Sequence, residues 1–550
     1  MIKLKEAIQA GQIVCHLTEP KDIISILGEA SRSNSDNDDA IQRLVLYYPN
    51  AEIHFSRFRI YEDDPFVLRS IIIRGAKVNV TGMGPPSLKN VRDLQKLKNL
   101  HDVSLKNLDL SEQGDLLERL NFDTTTIWPP PDRLPAGFIP QKLLRDGMNP
   151  GLSIRTLHDK RINGREIGIA ILDQRLLIGH EEYASRIIKY DATRANSFEP
   201  QFHASPIVGI AVGKSCGVAP GSFVFYYALP RTDMPDNKVF CDIIDEIIAY
   251  NNTSDRNEQI RVISISSGSF SEGKNYELWK ATLKKAQDAG ILVVTCSDRF
   301  LEYGTLKLQI GENPDDPNSY VRNKYGGGNN TLKIPTGNKT IASYRGVDVY
   351  AFERGDGKSW AAPYIAGLAA LAFQVNPNLK PKTIVEQLVK TAIRTNVGPV
   401  VNPCAFIDSL PCLYQKTDII FEDNLLGIWK SEMFTLSILK GNRQTEYKVT
   451  VSKSNERNDS TDIQNIASLI QVKGEKFLSV FPIDHLPADA ATSTSFILPD
   501  IIFHVVQTEP QLVLQVMHYH NFAAFLKEST DSFLIEKFVS QSTFKFKKEP

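Results

Sequence analysis

Unbroken apolar runs dominate the middle of the chain. Ile167-Gly168-Ile169-Ala170-Ile171-Leu172, Val262-Ile263-Ser264-Ile265-Ser266 and Ile291-Leu292-Val293-Val294-Thr295 are each of strand length and have few polar breaks. That pattern predicts strands covered on both faces, the first of them entered through an Asn163-Gly164 turn. Between them, residues 240–250 and 276–289 repeat apolar positions at helical spacing, and Gly290 closes the second helix. Strand and helix in alternation predict an α/β fold on a parallel sheet, with ligands at the C-terminal strand ends. A further helix starts behind Gly357-Lys358-Ser359 and stays apolar through Tyr364-Ile365-Ala366-Gly367-Leu368-Ala369-Ala370-Leu371. Residues 300–344, which hold Gly326-Gly327-Gly328-Asn329-Asn330, read as a long irregular stretch.

The flanks have other textures. Residues 1–128 alternate short apolar runs with polar breaks, and Ser31 to Asp39 reads as a solvated loop. Leu94, Leu97, Leu100, Val103, Leu105, Leu108 and Leu110 have the spacing of one leucine-rich repeat, with 68–78 and 116–127 as degenerate neighbours. An amphipathic helix followed by a strand fits the same letters, so a small α/β domain is expected either way. Residues 129–140 form a stiff proline-rich linker. An α/β domain is expected over 141–400. Over 420–550, runs such as Tyr447-Lys448-Val449-Thr450-Val451 predict an antiparallel β domain.

Composition narrows the function class. Hydrophobic residues make up 42% and charged residues 23% of the 550, and the formal net charge is −1. No basic excess argues for nucleic acid or an anionic membrane. The start Met1-Ile2-Lys3-Leu4-Lys5-Glu6 lacks the features of a signal peptide, and the apolar segments are too short to span a bilayer. The six cysteines lack metal-ligand spacing, and only Cys404 and Cys412 are near neighbours. The expectation is a cytoplasmic protein with no metal and no cofactor.

Three residues carry candidate chemistry. Ser359 sits where a small-residue turn meets a helix N-terminus, whose partial positive charge favours a developing anion. Asp173 stands just past the first buried strand, and His203 opens the small-residue helix start His203-Ala204-Ser205-Pro206. Singly, each has a structural explanation: a turn, a helix cap, a polar core residue. Together, in the order Asp, His, Ser at the margins of buried elements, they match the chain order of subtilisin.

Residues 141–396 resemble a subtilisin-type serine protease. Ile169-Ala170-Ile171-Leu172-Asp173 is similar to the family's aspartate motif, with Gln174-Arg175 in place of the usual Thr-Gly. His203 to Gly209 is similar to the histidine motif, and Gly357-Lys358-Ser359-Trp360-Ala361-Ala362-Pro363 to the serine motif. The resemblance implies Ser359 as nucleophile, His203 as general base and Asp173 as its orienter. It also implies that Ser266-Ser267-Gly268 pairs with an extended peptide or protein substrate. The family's second oxyanion donor is an Asn; here the corresponding residue is Asp298, as in one branch of the prohormone convertases. Losing that amide in subtilisin costs about 10²–10³ in rate. The calcium-loop insertion after the histidine helix is missing, because Ala211-Val212-Gly213-Lys214-Ser215-Cys216 runs straight into Gly217. Leu425-Leu426-Gly427-Ile428-Trp429-Lys430 resembles the opening strand of a lipocalin-like barrel, although an unrelated β domain with a core tryptophan fits equally.

The function expected is therefore a serine endopeptidase, general or dedicated to the maturation of one partner. Residues 1–128 would then be a propeptide-like or recognition domain that binds a protein partner. The alternative is a pseudoprotease that keeps the groove as a peptide-binding scaffold; Asp298 and Gln174-Arg175 are the residues that favour it.

Overall fold

In the computed structural model the described residues are 20–37, the strands between 41 and 78, residue 88, and 90–411 except 197–199, 231–235, 255–257, 269, 298–299 and 356. Beyond these, 419–420, 422–430 and the strands from 434 to 548 are described. The chain divides into two compact units, residues 1–149 with 337–356 and residues 150–336 with 357–550.

In the first unit, strands between Arg32 and Val78 form a five-stranded antiparallel sheet in sequential order. Two readings from sequence are corrected here. Arg32–Asn37 is an edge strand paired with residues 42–47; main-chain hydrogen bonds to a neighbour form whatever the side chains are, which polar composition conceals. Val67–Ile73 belongs to the same sheet, so 68–78 is not a repeat.

The repeat reading of 94–110 has a direct structural counterpart. Asn99 bridges Asn121 and Ser104 bridges Ile127, both parallel, and the Asn121 side-chain amide donates to the Asn99 side chain 22 residues earlier at 2.7 Å. Two coils are stacked, and Leu94, Leu100, Val103, Leu105, Leu110, Leu117 and Phe122 point into one core. Residues 337–356, inside the 141–400 stretch by texture, belong to this unit: Lys339–Ala342 pairs with Tyr350–Glu353, which pairs with Phe122–Asp123. The Phe352 ring stacks on Phe122 at 5.3 Å between centroids.

The second unit is mixed α/β and holds the predicted parallel sheet. Its elements are β1 (Gly168–Asp173), β2 (Ile187–Asp191), α1 (Ala204–Val212), β3 (Phe223–Ala228), α2 (Asn237–Thr253), β4 (Ile260–Ile265), α3 (Tyr276–Asp288), β5 (Leu292–Thr295) and α4 (Lys358–Val375). The strand order is β5-β4-β1-β3-β2, with every neighbour parallel. After β1 the chain places β2 at one edge and returns to insert β3 between them, then crosses to add β4 and β5 on the other side. The C-terminal end of β1 lies at this switch, where the crevice of an open parallel sheet forms.

Residues 300–344, read as irregular, contain short strands such as Tyr303–Leu308 and Leu332–Gly337, which join a second five-stranded sheet with residues 393–400. Their apolar positions are too few per strand to show a period in sequence.

Helix α4 is the core of this unit. Every residue from Ala361 to Val375 is buried, and the helix packs against α1, β1, β4 and β5. Its one buried amide makes three hydrogen bonds: Gln374 Oε1 accepts from Asn163 and Gly164 N–H at 2.8 and 2.7 Å, and its Nε2 donates to Arg161 O at 2.8 Å. The predicted Asn163-Gly164 turn, with Gly164 at φ +84°, is thereby tied to the end of α4.

In the C-terminal part, eight strands from Gly427–Lys430 to Thr543–Lys548 each pair antiparallel with the next, and the last pairs with the first. The result is a closed barrel with a packed interior around Trp429, whose Nε1 donates to Leu425 O at 2.9 Å.

Close packing of α4 gives a stability prediction. A Cβ on Gly367 would lie 2.6 Å from Val218 Cβ and 2.8 Å from its Cγ1. Gly367→Ala should lower stability by about 1–3 kcal/mol through overpacking, measured as a fall in the urea midpoint. An unchanged midpoint in Gly367→Ala would rule out the tight approach.

Candidate active site

Asp173 is the last residue of β1 and is buried. Its carbonyl accepts from Leu229 N–H at 2.7 Å and its carboxylate accepts from Gln174 N–H at 2.7 Å, which fixes the side chain at the strand end. Behind it, the Tyr226 hydroxyl donates to the Gln174 carbonyl. Burial and the nearby Asp173 charge push the Tyr226 phenol well up, so that this hydroxyl stays a donor.

His203 is the cap residue before α1, a helix buried along its whole length. Its Nδ1 lies 2.8 Å from Asp173 Oδ1 and 3.0 Å from Oδ2. Burial alone would push the imidazole pKa down, but the Asp173 charge and hydrogen bond outweigh it and the net shift is upward. The helix start is held by Tyr183, whose hydroxyl meets the Ser205 hydroxyl at 2.9 Å. Phe202 stands exposed next to the imidazole, ring centroids 5.9 Å apart in an edge-on arrangement.

Ser359 is the second residue of α4, after Gly357 in extended conformation as the cap. Its backbone N–H is among the first-turn donors that have no intrahelical acceptor. Its hydroxyl lies beside the Cys296 thiol, just past β5. Burial pushes that thiol up to about 11; hydrogen bonds to Tyr303 and Ser359 oppose the rise, and the Asp173 charge adds to it. Cys296 therefore reports Ser359 and Asp173 in one neighbourhood. Tyr303 braces the same corner, donating to Thr295 O at 3.1 Å and approaching Lys358 O at 3.4 Å.

Of the segment expected to meet substrate, Ser267 O accepts from Cys296 N–H at 2.9 Å, which prolongs the β4–β5 pairing by one rung. An added Cβ on Gly268 would sit 3.1 Å from the Cys296 main chain. The Ser266 hydroxyl is not directed at open space; it donates to the Ser359 carbonyl at 2.8 Å. Asp298 lies outside the described residues. Sequence reasoning missed Cys296 and Tyr303, and no motif marks them, because only the sheet register brings them to Ser359.

The positions thus converge on the C-terminal edge of one parallel sheet, from β1, β4, β5 and the start of α4. A carboxylate-oriented imidazole can accept a proton from a hydroxyl brought to it, and the N–H groups at a helix N-terminus can stabilise an oxyanion. Residues 325–424, which carry Ser359 and all of α4, match the model of the subtilase family. The segment around Ser359 is thus similar to subtilases.

Solved structures similar to the chain include the prenylagaramide maturation protease PagA, at 16% identity and TM-score 0.35, covering 47% of this chain and 99% of that one. The PatG macrocyclase in complex with peptide is 14% identical at TM-score 0.36, covering 46% and 95%. A cold-adapted subtilisin-like serine proteinase is 18% identical at TM-score 0.34, covering 44% and 88%. No curated protein matches the chain. Among the described residues, no group of three or more His, Cys, Asp or Glu could hold a metal ion. No helix among them is long and apolar enough to cross a membrane.

The Asp173–His203 contact predicts a titration. The folded His203 pKa lies above 6.5. The pair therefore stabilises the fold fully below the unfolded value and loses that contribution as pH rises through the folded one. NMR titration of the ring should place the wild-type pKa above 6.5, and Asp173→Asn should drop it below, because burial then acts unopposed. Equal values in the two proteins would remove Asp173 as the imidazole's partner.

Proposed function

We propose that this chain is a serine endopeptidase of subtilisin type, acting on a peptide or protein substrate. The observation that carries the reading is the half-buried Asp173–His203 contact, on the same sheet edge as a serine that opens a buried helix. Ser359 Oγ attacks the scissile carbonyl carbon while His203 Nε2 takes its proton. Asp173 holds Nδ1 and stabilises the imidazolium. The proton passes to the leaving amine as the C–N bond breaks, and water then repeats the sequence on the acyl-enzyme. The Ser359 N–H stabilises the oxyanion, with Asp298 as second donor when its carboxyl is protonated. The cytoplasm as compartment and a single maturation substrate as target are part of this proposal, supported by composition and by the flanking domains. Asp298 in the place of an amide donor favours a second reading, a peptide-binding scaffold without turnover.

Labelling with a fluorophosphonate probe separates the two. Wild type should label and Ser359→Ala should not; His203→Ala should slow labelling by about 10³-fold or more while the circular dichroism spectrum stays unchanged. An unlabelled but folded wild type would favour the scaffold.

A second test concerns Asp298. A carboxyl donates only when protonated, whereas His203 must be neutral to act as base, so wild-type activity should fall on both sides of a narrow optimum. Asp298→Asn supplies a donor independent of pH and should keep or raise kcat and extend it to alkaline pH. An alkaline limb identical to wild type would exclude Asp298 as the oxyanion partner.

A further inference from the structure

Ser359 is attached to its helix by fewer backbone bonds than any ordinary helical residue. Its N–H belongs to the first turn, where no intrahelical acceptor exists. Its carbonyl should accept from the residue four positions on, but that residue is Pro363. Proline has no N–H, and its ring also crowds the carbonyl four residues back, turning it away from the helix axis. Neither main-chain group of Ser359 thus has the i,i+4 partner of an ordinary helical residue. The Ser266 hydroxyl, 2.8 Å away, donates to the carbonyl that Pro363 leaves without its helical donor.

We infer that Ser266 is a positioning residue for Ser359, its side chain standing in for the helix hydrogen bond that Pro363 cannot make. The inference rests on Ser359 being the nucleophile and deepens that reading. The Ser359 carbonyl defines the peptide plane between residues 359 and 360. A donor on that plane sets the backbone torsion of Ser359, and through it the directions of the hydroxyl and of the N–H that faces the oxyanion. Ser266 can bear on that plane because it is itself held. Ser266 directly follows β4, Ser267 N–H donates to Ile265 O at 2.8 Å, and Ser267 O is bound by Cys296 N–H at 2.9 Å. The parallel sheet therefore reaches the nucleophile through one hydroxyl. The resemblance to subtilisin gives this segment a role in pairing with substrate through its main chain; the side chain of Ser266 serves the other partner, the enzyme's own serine.

A double-mutant cycle tests this. Pro363→Ala restores a main-chain N–H in register with the Ser359 carbonyl, so it should make the Ser266 hydroxyl dispensable. In the wild-type background, Ser266→Ala should lower the fluorophosphonate labelling rate and kcat about three- to tenfold with little change in KM, the scale of one hydrogen bond. Ser266→Thr, which keeps the hydroxyl, should restore most of the loss. In the Pro363→Ala background, adding Ser266→Ala should cost less than about twofold. Equal losses in both backgrounds, or a rise in KM at unchanged kcat, would overturn the inference, the second by making Ser266 a substrate contact. Hydrogen exchange of the 358–366 segment gives a readout that needs no activity: faster in Ser266→Ala, restored in the double variant. If wild type does not label, the peptidase reading fails and the exchange result still decides whether Ser266 anchors Ser359. Exchange unchanged in Ser266→Ala would count against the anchor.

Discussion

Burial of α4 on all sides is the constraint from which the second unit follows. A helix apolar around its whole circumference has no stable place on a surface, so sheet and helix must close over it. Burial of each large side chain contributes roughly 1.5–3 kcal/mol, and the fit admits no excess volume at Gly367 against Val218. Once α4 is immobilised, its first turn is immobilised too, and Ser359 is in that turn. Gln374 carries the same constraint from the far end to the turn that leads into β1. The elements that carry Asp173 and Ser359 are thereby referred to one packed core.

Electrostatics acts on top of that frame. The imidazole of His203 is half-buried, which by itself favours the neutral form; the Asp173 carboxylate reverses the balance. A base that is poised to accept a proton and keeps one tautomer through Nδ1 follows from one contact at 2.8 Å. Around it are groups held uncharged by burial, the Tyr226 phenol and the Cys296 thiol. They add hydrogen bonds without adding competing charge.

Pro363 shows how a local defect can be used by the tertiary structure. It stands at the sixth position of α4, where it removes the main-chain donor to the Ser359 carbonyl, and a hydroxyl from the residue after β4 fills the place. Cys296 and Tyr303 are of the same kind, ordinary residues in sequence that acquire a role through the register of β4 and β5.

The sequence by itself determined what depends on local pattern. Period and run length gave the parallel strands, because a strand covered on both faces must be apolar throughout. Leucine spacing at 94–110 offered the repeat as one of two readings, and motif and order singled out Asp173, His203 and Ser359, of which the structure joins the first two. What required the tertiary structure was everything set by partners distant along the chain. Arg32–Asn37 is a strand only because residues 42–47 lie beside it. Residues 337–356 leave the surrounding α/β texture because Phe352 finds Phe122 and its strand finds Phe122–Asp123. The Asp173–His203 distance and the Ser266–Ser359 bond join residues 30 and 93 positions apart. Side-chain geometry over such separations is a property of packing, and no periodicity in the chain encodes it.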